Sequence, residues 1–158
     1  MKVKGIIPED FVNYKKPSMF ISAPSCTFKC DRESGKPCCQ NSALASQPDV
    51  EISVGRLVAM YLENPISKAV VFGGLEPMDS FDELSEFISR LRAMGCRDEV
   101  VIYTGYTKDE LGQKVWILSV FLNIIIKYGR FIPDSEPRFD PVLGVTLASK
   151  NQYAEKIS

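Results

Sequence analysis

Three short apolar runs, Lys68–Phe72, Glu99–Tyr103 and Asn123–Lys127, are rich in β-branched residues and are separated by stretches whose apolar residues recur at helical spacing. Continuous runs of this kind suit strands buried on both faces. Between the first two, Ser80-Phe81-Asp82-Glu83 has the spacing of a capping box, and Phe81, Leu84, Phe87, Ile88, Leu91 and Met94 line one face up to a stop at Gly95. Thr107-Lys108-Asp109-Glu110 repeats the capping pattern and predicts a helix to about Ser119. Strand, turn, capped helix, strand is the order of right-handed βαβ units, so the sheet is predicted to be parallel and the fold class α/β. Upstream, Met19–Ala23 predicts a strand that Pro24 stops, and Ser53 predicts a helix cap for a segment through about Leu62. The segment to Pro17 carries little pattern, and Val142–Leu147 is a candidate strand after a Pro-rich, charged stretch. With no repeat or linker, residues 1–158 read as a single compact domain, long enough to bury a full core.

Four of the five cysteines fall between Cys26 and Cys39, in a loop that also contains Gly35 and Pro37. Too few cysteines lie elsewhere to build a disulfide framework, so the loop reads as a metal or iron–sulfur site. Cys26 and Cys30 form a C-x3-C pair, and Cys38 and Cys39 are adjacent. Neighbouring residues rarely both reach one centre without strain, which leaves three ligands: Cys26, Cys30 and either Cys39 or Cys38. Three thiolates leave one iron of a four-iron cluster open for a small molecule, whereas a closed structural zinc site takes four ligands.

The chain contains no histidine, so it has no imidazole base, no mixed Cys/His zinc site and no Ser-His-Asp triad. A formal charge of -1 with scattered Lys and Arg predicts no nucleic-acid partner and no anionic membrane surface. The longest apolar run, Val115–Ile126, is interrupted by Ser119 and Asn123 and is too short to span a bilayer. An odd cysteine count and an opening Met1-Lys2-Val3-Lys4 without a signal pattern predict a reducing, cytoplasmic setting.

In a parallel sheet, ligands gather where strands run into loops at the carboxyl edge. The turns at Ser25–Asn41, Gly73–Pro77, Thr104–Tyr106 and Gly129–Ile132 are all predicted to lie there. Gly73 and Gly74 permit close approach of backbone to a ligand. Glu76 reads as an exposed carboxylate near a helix start, Cys96 as a packing residue, Tyr103 as core, and Lys127 and Arg130 as solvated surface charges.

These residues also match a family pattern. The strand into Cys26-x-x-x-Cys30, then Cys39-Gln40-Asn41, Gly73-Gly74-Leu75-Glu76-Pro77, Thr104-Gly105-Tyr106, Gly129-Arg130-Phe131 and Ala148-Ser149-Lys150-Asn151-Gln152 follow one another as in radical S-adenosylmethionine proteins. Most closely the chain resembles the activating proteins of anaerobic ribonucleotide reductase, from about Asp10 to Gln152. The resemblance implies a partial (β/α) barrel with a mainly parallel sheet and a [4Fe-4S] cluster whose open iron binds S-adenosyl-L-methionine. It further implies one-electron cleavage of that cofactor to a 5′-deoxyadenosyl radical, which takes a hydrogen from a backbone glycine of a glycyl-radical partner enzyme, with a flavodoxin-like protein as electron donor. Gly73 and Gly74 would face the methionine amino end, Leu75, Glu76 and Pro77 would belong to the same turn, and Thr104 would lie near the ribose or methionine part.

This chain departs from the family's C-x3-C-x2-C spacing, since the third place after Cys30 is Glu33. A six-residue insertion carries the third thiolate to Cys39 if Gln40-Asn41 corresponds to the polar-Asn pair that follows the third cysteine in relatives, and to Cys38 otherwise. Leu75 is extra within the glycine turn, and Tyr128 stands where relatives often carry Asp. Two other readings share the same residues: a small-molecule enzyme like the deazaguanine-forming relatives, and a non-catalytic module in which zinc or a cluster staples the loop.

Overall fold

The computed structural model describes all residues from Met1 to Ser158. In chain order its elements are β1 (Lys2–Val3), β2 (Gly5–Asp10), β3 (Ser18–Ser22), α1 (Lys29–Ser34), α2 (Ser42–Ala45), β4 (Val50–Glu51), α3 (Val54–Glu63) and β5 (Ala69–Gly73). They continue through a 3-10 turn (Pro77–Ser80), α4 (Phe81–Ala93), β6 (Glu99–Tyr103), α5 (Lys108–Leu111), α6 (Gln113–Ser119), β7 (Ile124–Tyr128), β8 (Arg138–Asp140), β9 (Val145–Leu147) and β10 (Tyr153–Lys156).

The central sheet has six strands in the order β10-β7-β6-β5-β3-β2. β3, β5, β6 and β7 are parallel, as the βαβ rhythm requires, with Phe20 opposite Val71, Val71 opposite Val101 and Val101 opposite Ile125. The two edges are antiparallel: β2 beside β3 and β10 beside β7. The result is an open α/β sheet of partial-barrel type.

Alternation along the strands divides the core into two. Val70, Phe72, Val100, Ile102, Ile124 and Ile126 face α3, α4 and α6, where Phe87 meets Phe72 edge to face with ring centroids 5.1 Å apart. Val71, Val101 and Ile125 face the other way, against Tyr14, Leu143 and Leu147 from the loop after β2 and from the β8–β9 segment. The helices therefore lie on one face, and the chain's own side chains cover the other.

Several expected elements are revised. The patternless N-terminus supplies β1 and β2. As an edge strand with Pro8 and half its residues exposed, β2 has no need of an apolar alternation. β10 escapes notice because its residues are polar or small and pair along only one side. The helix predicted from Thr107 to Ser119 is broken at Gly112, whose φ of 50° and ψ of -119° leave the helical region. The candidate strand over Val142–Leu147 is shorter, at Val145–Leu147, and pairs only with β8.

The two capping boxes part company. At Thr107 both reciprocal bonds form, with Thr107 Oγ1 accepting from the Glu110 N–H and Glu110 accepting from the Thr107 N–H. At Ser80 no side-chain cap forms, because the 3-10 turn begins three residues earlier at Pro77, with Glu76 accepting from the Met78 N–H at 3.1 Å. Glu83 pairs instead with the N-terminal amine at 3.2 Å.

Candidate functional site

The carboxyl ends of the four parallel strands lie side by side, and each continues into one of the turns singled out above. The most tightly bonded centre on this edge is Glu76. Its carboxylate accepts from Thr104 Oγ1 at 2.7 Å, from the Gly105 N–H at 2.8 Å and from the Met78 N–H. The expectation of an exposed carboxylate is thus corrected: Glu76 is 4% exposed, and burial pushes its carboxyl upward against the pull of those three donors. Thr104 is buried with it, and its Oγ1 also accepts from the Tyr106 N–H at 3.0 Å, so the β5 and β6 turns are locked together.

Gly73 and Gly74 are accounted for by packing. A Cβ at Gly73 would lie 2.9 Å from Cζ of Phe20, and Gly74, at φ +76°, would press one to 2.8 Å from Cδ2 of Leu44. Leu75 and Pro77 are buried. This strand-end turn brings Gly73, Gly74, Leu75, Glu76, Pro77 and Thr104 together, immediately beside the cysteine loop, where the Glu76 N–H donates to Ser25 O at 2.9 Å.

The cysteine loop is built differently. Its helix α1 buries no residue, begins at Phe28 in the left-handed region and ends at Gly35, also left-handed. All five cysteines are free thiols of intermediate exposure. Cys26 Sγ accepts from the Phe28 N–H at 3.3 Å, and burial pushes its pKa up to about 11. Burial also raises Cys30, opposed by the Phe131 N–H, and Cys30 feels Cys39 more strongly than Cys38. Cys96 lies apart, packed against the core, as expected.

Lys127 and Arg130 overturn their reading as solvated charges. Lys127 is 6% exposed; its Nζ donates to Gly129 O at 2.8 Å, and burial lowers its pKa to about 8 although Glu76 and Cys30 pull upward. Arg130 joins Glu110, stands 3.4 Å from Glu33 and lies over the Tyr106 ring, which ties the β7 turn to α1 and α5. Sequence reasoning missed both, since a cation beside a strand end carries no mark of burial. The only available hint was the position of Lys127 within an otherwise apolar run.

Beyond Cys30 and Arg130 opens a cleft of about 690 Å³, lined also by Tyr128, Phe131, Asn151 and Tyr153. Two buried polar atoms of its lining residues lack a hydrogen-bond partner, Tyr128 Oη and Arg130 Nε, the latter despite the nearby Glu33 carboxylate. Orphaned donors of this kind mark a place where an acceptor is wanted.

The donor set can be tested against an iron–sulfur cluster. No three Cys, Asp or Glu side chains converge tightly enough to hold a single metal ion. A four-iron cube holds its thiolates farther apart than one tetrahedral ion does, so it fits thiols that share a loop and one another's field without meeting at a point. Raised thiol pKa values are no obstacle, because an iron centre displaces the proton as it binds.

Fold and site together define an α/β protein that carries a thiol-rich loop at the carboxyl edge of its sheet. The profile of the 4Fe-4S single cluster domain matches residues 17–152, nearly the whole chain, and the protein belongs to that iron–sulfur family. No curated protein and no solved structure matches it. No helix is long and apolar enough to cross a membrane.

Proposed function

We propose that the protein is a radical S-adenosylmethionine enzyme of the activating-protein type, with Cys26, Cys30 and Cys39 holding the cluster. The observation that carries this reading is the gathering, on one sheet edge, of the cysteine loop, the Glu76–Thr104 turn and a cleft lined by Cys30, Tyr128 and Arg130. When bound, the cluster and S-adenosylmethionine together supply one-electron cleavage of a sulfonium C–S bond. The chain's own part is placement. The Glu76 network keeps the glycine turn rigid, so that this turn and Thr104 would bound the methionine end of the cofactor, and Tyr128 and Arg130 would serve the rest of the ligand.

What fills the sheet supports one class of substrate. Tyr14, Leu143 and Leu147 occupy the face away from the helices, where an interior small-molecule pocket would otherwise form. That favours a macromolecular substrate presented at the edge, a glycyl-radical enzyme such as anaerobic ribonucleotide reductase, with a flavodoxin-like donor as the source of electrons.

The test is anaerobic reconstitution followed by iron and sulfide analysis, EPR of the reduced protein with and without S-adenosylmethionine, and assay of 5′-deoxyadenosine. We expect about four irons per chain, a spectrum that shifts on adding the cofactor, and loss of iron and cleavage in Cys30→Ala. A single zinc, or a cluster indifferent to the cofactor, would overturn the proposal.

A further inference from the structure

The insertion that separates Cys30 from the paired cysteines is organised around one side chain. Oδ1 of Asp31 accepts from the backbone N–H groups of both Cys38 and Cys39, each at 2.8 Å, and so folds the strand of cysteines back onto α1. Ser34 completes the fold: its hydroxyl lies 2.8 Å from Lys36 O, 3.2 Å from Asp31 O and 3.2 Å from Cys38 Sγ. Cys38 is therefore engaged by the insertion itself, while no side chain of the insertion holds the thiol of Cys39.

Two adjacent residues bound through their amides to one oxygen have their side chains sent in different directions, because successive side chains diverge along the backbone. We infer that Asp31 is a positioning residue that selects Cys39 over Cys38 as the third thiolate of the cluster, with Ser34 retaining Cys38. The inference rests on the cluster reading above. It replaces the short spacing of a compact cysteine motif with a carboxylate that performs the same alignment across a longer loop. An outer partner of this kind typically alters metal affinity by about tenfold or more.

The experiment compares wild type with Asp31→Ala, Asp31→Asn, Cys38→Ser and Cys39→Ser. Iron and sulfide per chain are measured after anaerobic reconstitution over a series of limiting iron concentrations, and backbone hydrogen exchange at positions 38 and 39 is measured in the iron-free proteins. Asp31→Ala should lose protection at both amides and bind iron about tenfold more weakly. Asp31→Asn, which keeps an acceptor oxygen, should restore both. Cys38→Ser should load iron as wild type does, and Cys39→Ser should not. Full loading of Asp31→Ala, or loss of loading in Cys38→Ser with retention in Cys39→Ser, would overturn the assignment while leaving the cluster reading intact. A wild-type chain that takes up no iron would overturn that reading and this inference together.

Discussion

The two sides of the site are held by different means. The Glu76 turn is buried, and its carboxylate binds three donors from β6 and the 3-10 turn, so its shape is set by the folded core alone. The cysteine loop, a few residues away, buries nothing in α1 and depends on Asp31, Ser34 and the ion pairs of Arg130 and Lys29 with Glu110. One side is finished on folding; the other has thiols that want a centre. This division teaches which parts of such a site belong to the scaffold and which to the ligand, since a loop with few buried contacts sits at the low end of local stability.

The sharpest way to break the comparison is Glu76→Ala. Removing the carboxylate strands Thr104 Oγ1 and two N–H groups in a buried position, and the expected loss is about 4 kcal/mol of unfolding free energy. The loss should be the same with or without iron in chemical denaturation. A smaller loss confined to the loaded protein would mean that the turn, too, is shaped by its ligand.

Lys127 sharpens the scaffold side through pH. Its pKa is held at about 8, below the ordinary 10.5, by burial. Between those two values the unfolded chain carries a proton that the folded chain has lost, so stability should increase as pH rises through that window, by up to about 3 kcal/mol. Below about pH 8 both states are protonated and the burial penalty is felt in full. The rise should appear as the difference between the denaturation curves of wild type and Lys127→Met, since the Cys26 thiol, held up to about 11, gives both proteins the same opposing slope over that range.

The smallest effect is expected at the outer tie between the two sides. Glu110 is drawn down to about 2, first by Arg130, yet it is largely exposed. Solvent screening therefore limits Glu110→Gln to about 1 kcal/mol or less, including its share of the Thr107 cap. Because this carboxyl lies below its unfolded value, its contribution is present near neutral pH and disappears as the pH falls toward 2. Hydrogen exchange in residues 26–41 should increase in Glu110→Gln while the strands stay protected. Equal loosening of both would show that the loop and the sheet edge open as one unit.

Much of this architecture is legible in the chain. The apolar runs at β5, β6 and β7 announce buried parallel strands, and the Thr107 box announces α5, because burial on both faces and local capping leave marks within a few residues. The cysteine loop is legible for the same reason: four thiols in so short a stretch have little structural use apart from a metal.

What the sequence could not declare are the states of single polar groups. Glu76 reads as an exposed acid and Lys127 as a surface cation until β6 and β7 close over them, and the Ser80 box is pre-empted by a turn that begins at Pro77. The backbone N–H groups of Cys38 and Cys39 are held by Asp31, seven and eight residues away. Short-range patterns record which residues must leave water and how the chain turns. Which carboxylate meets which donor is decided by contacts between segments that only the folded sheet brings together.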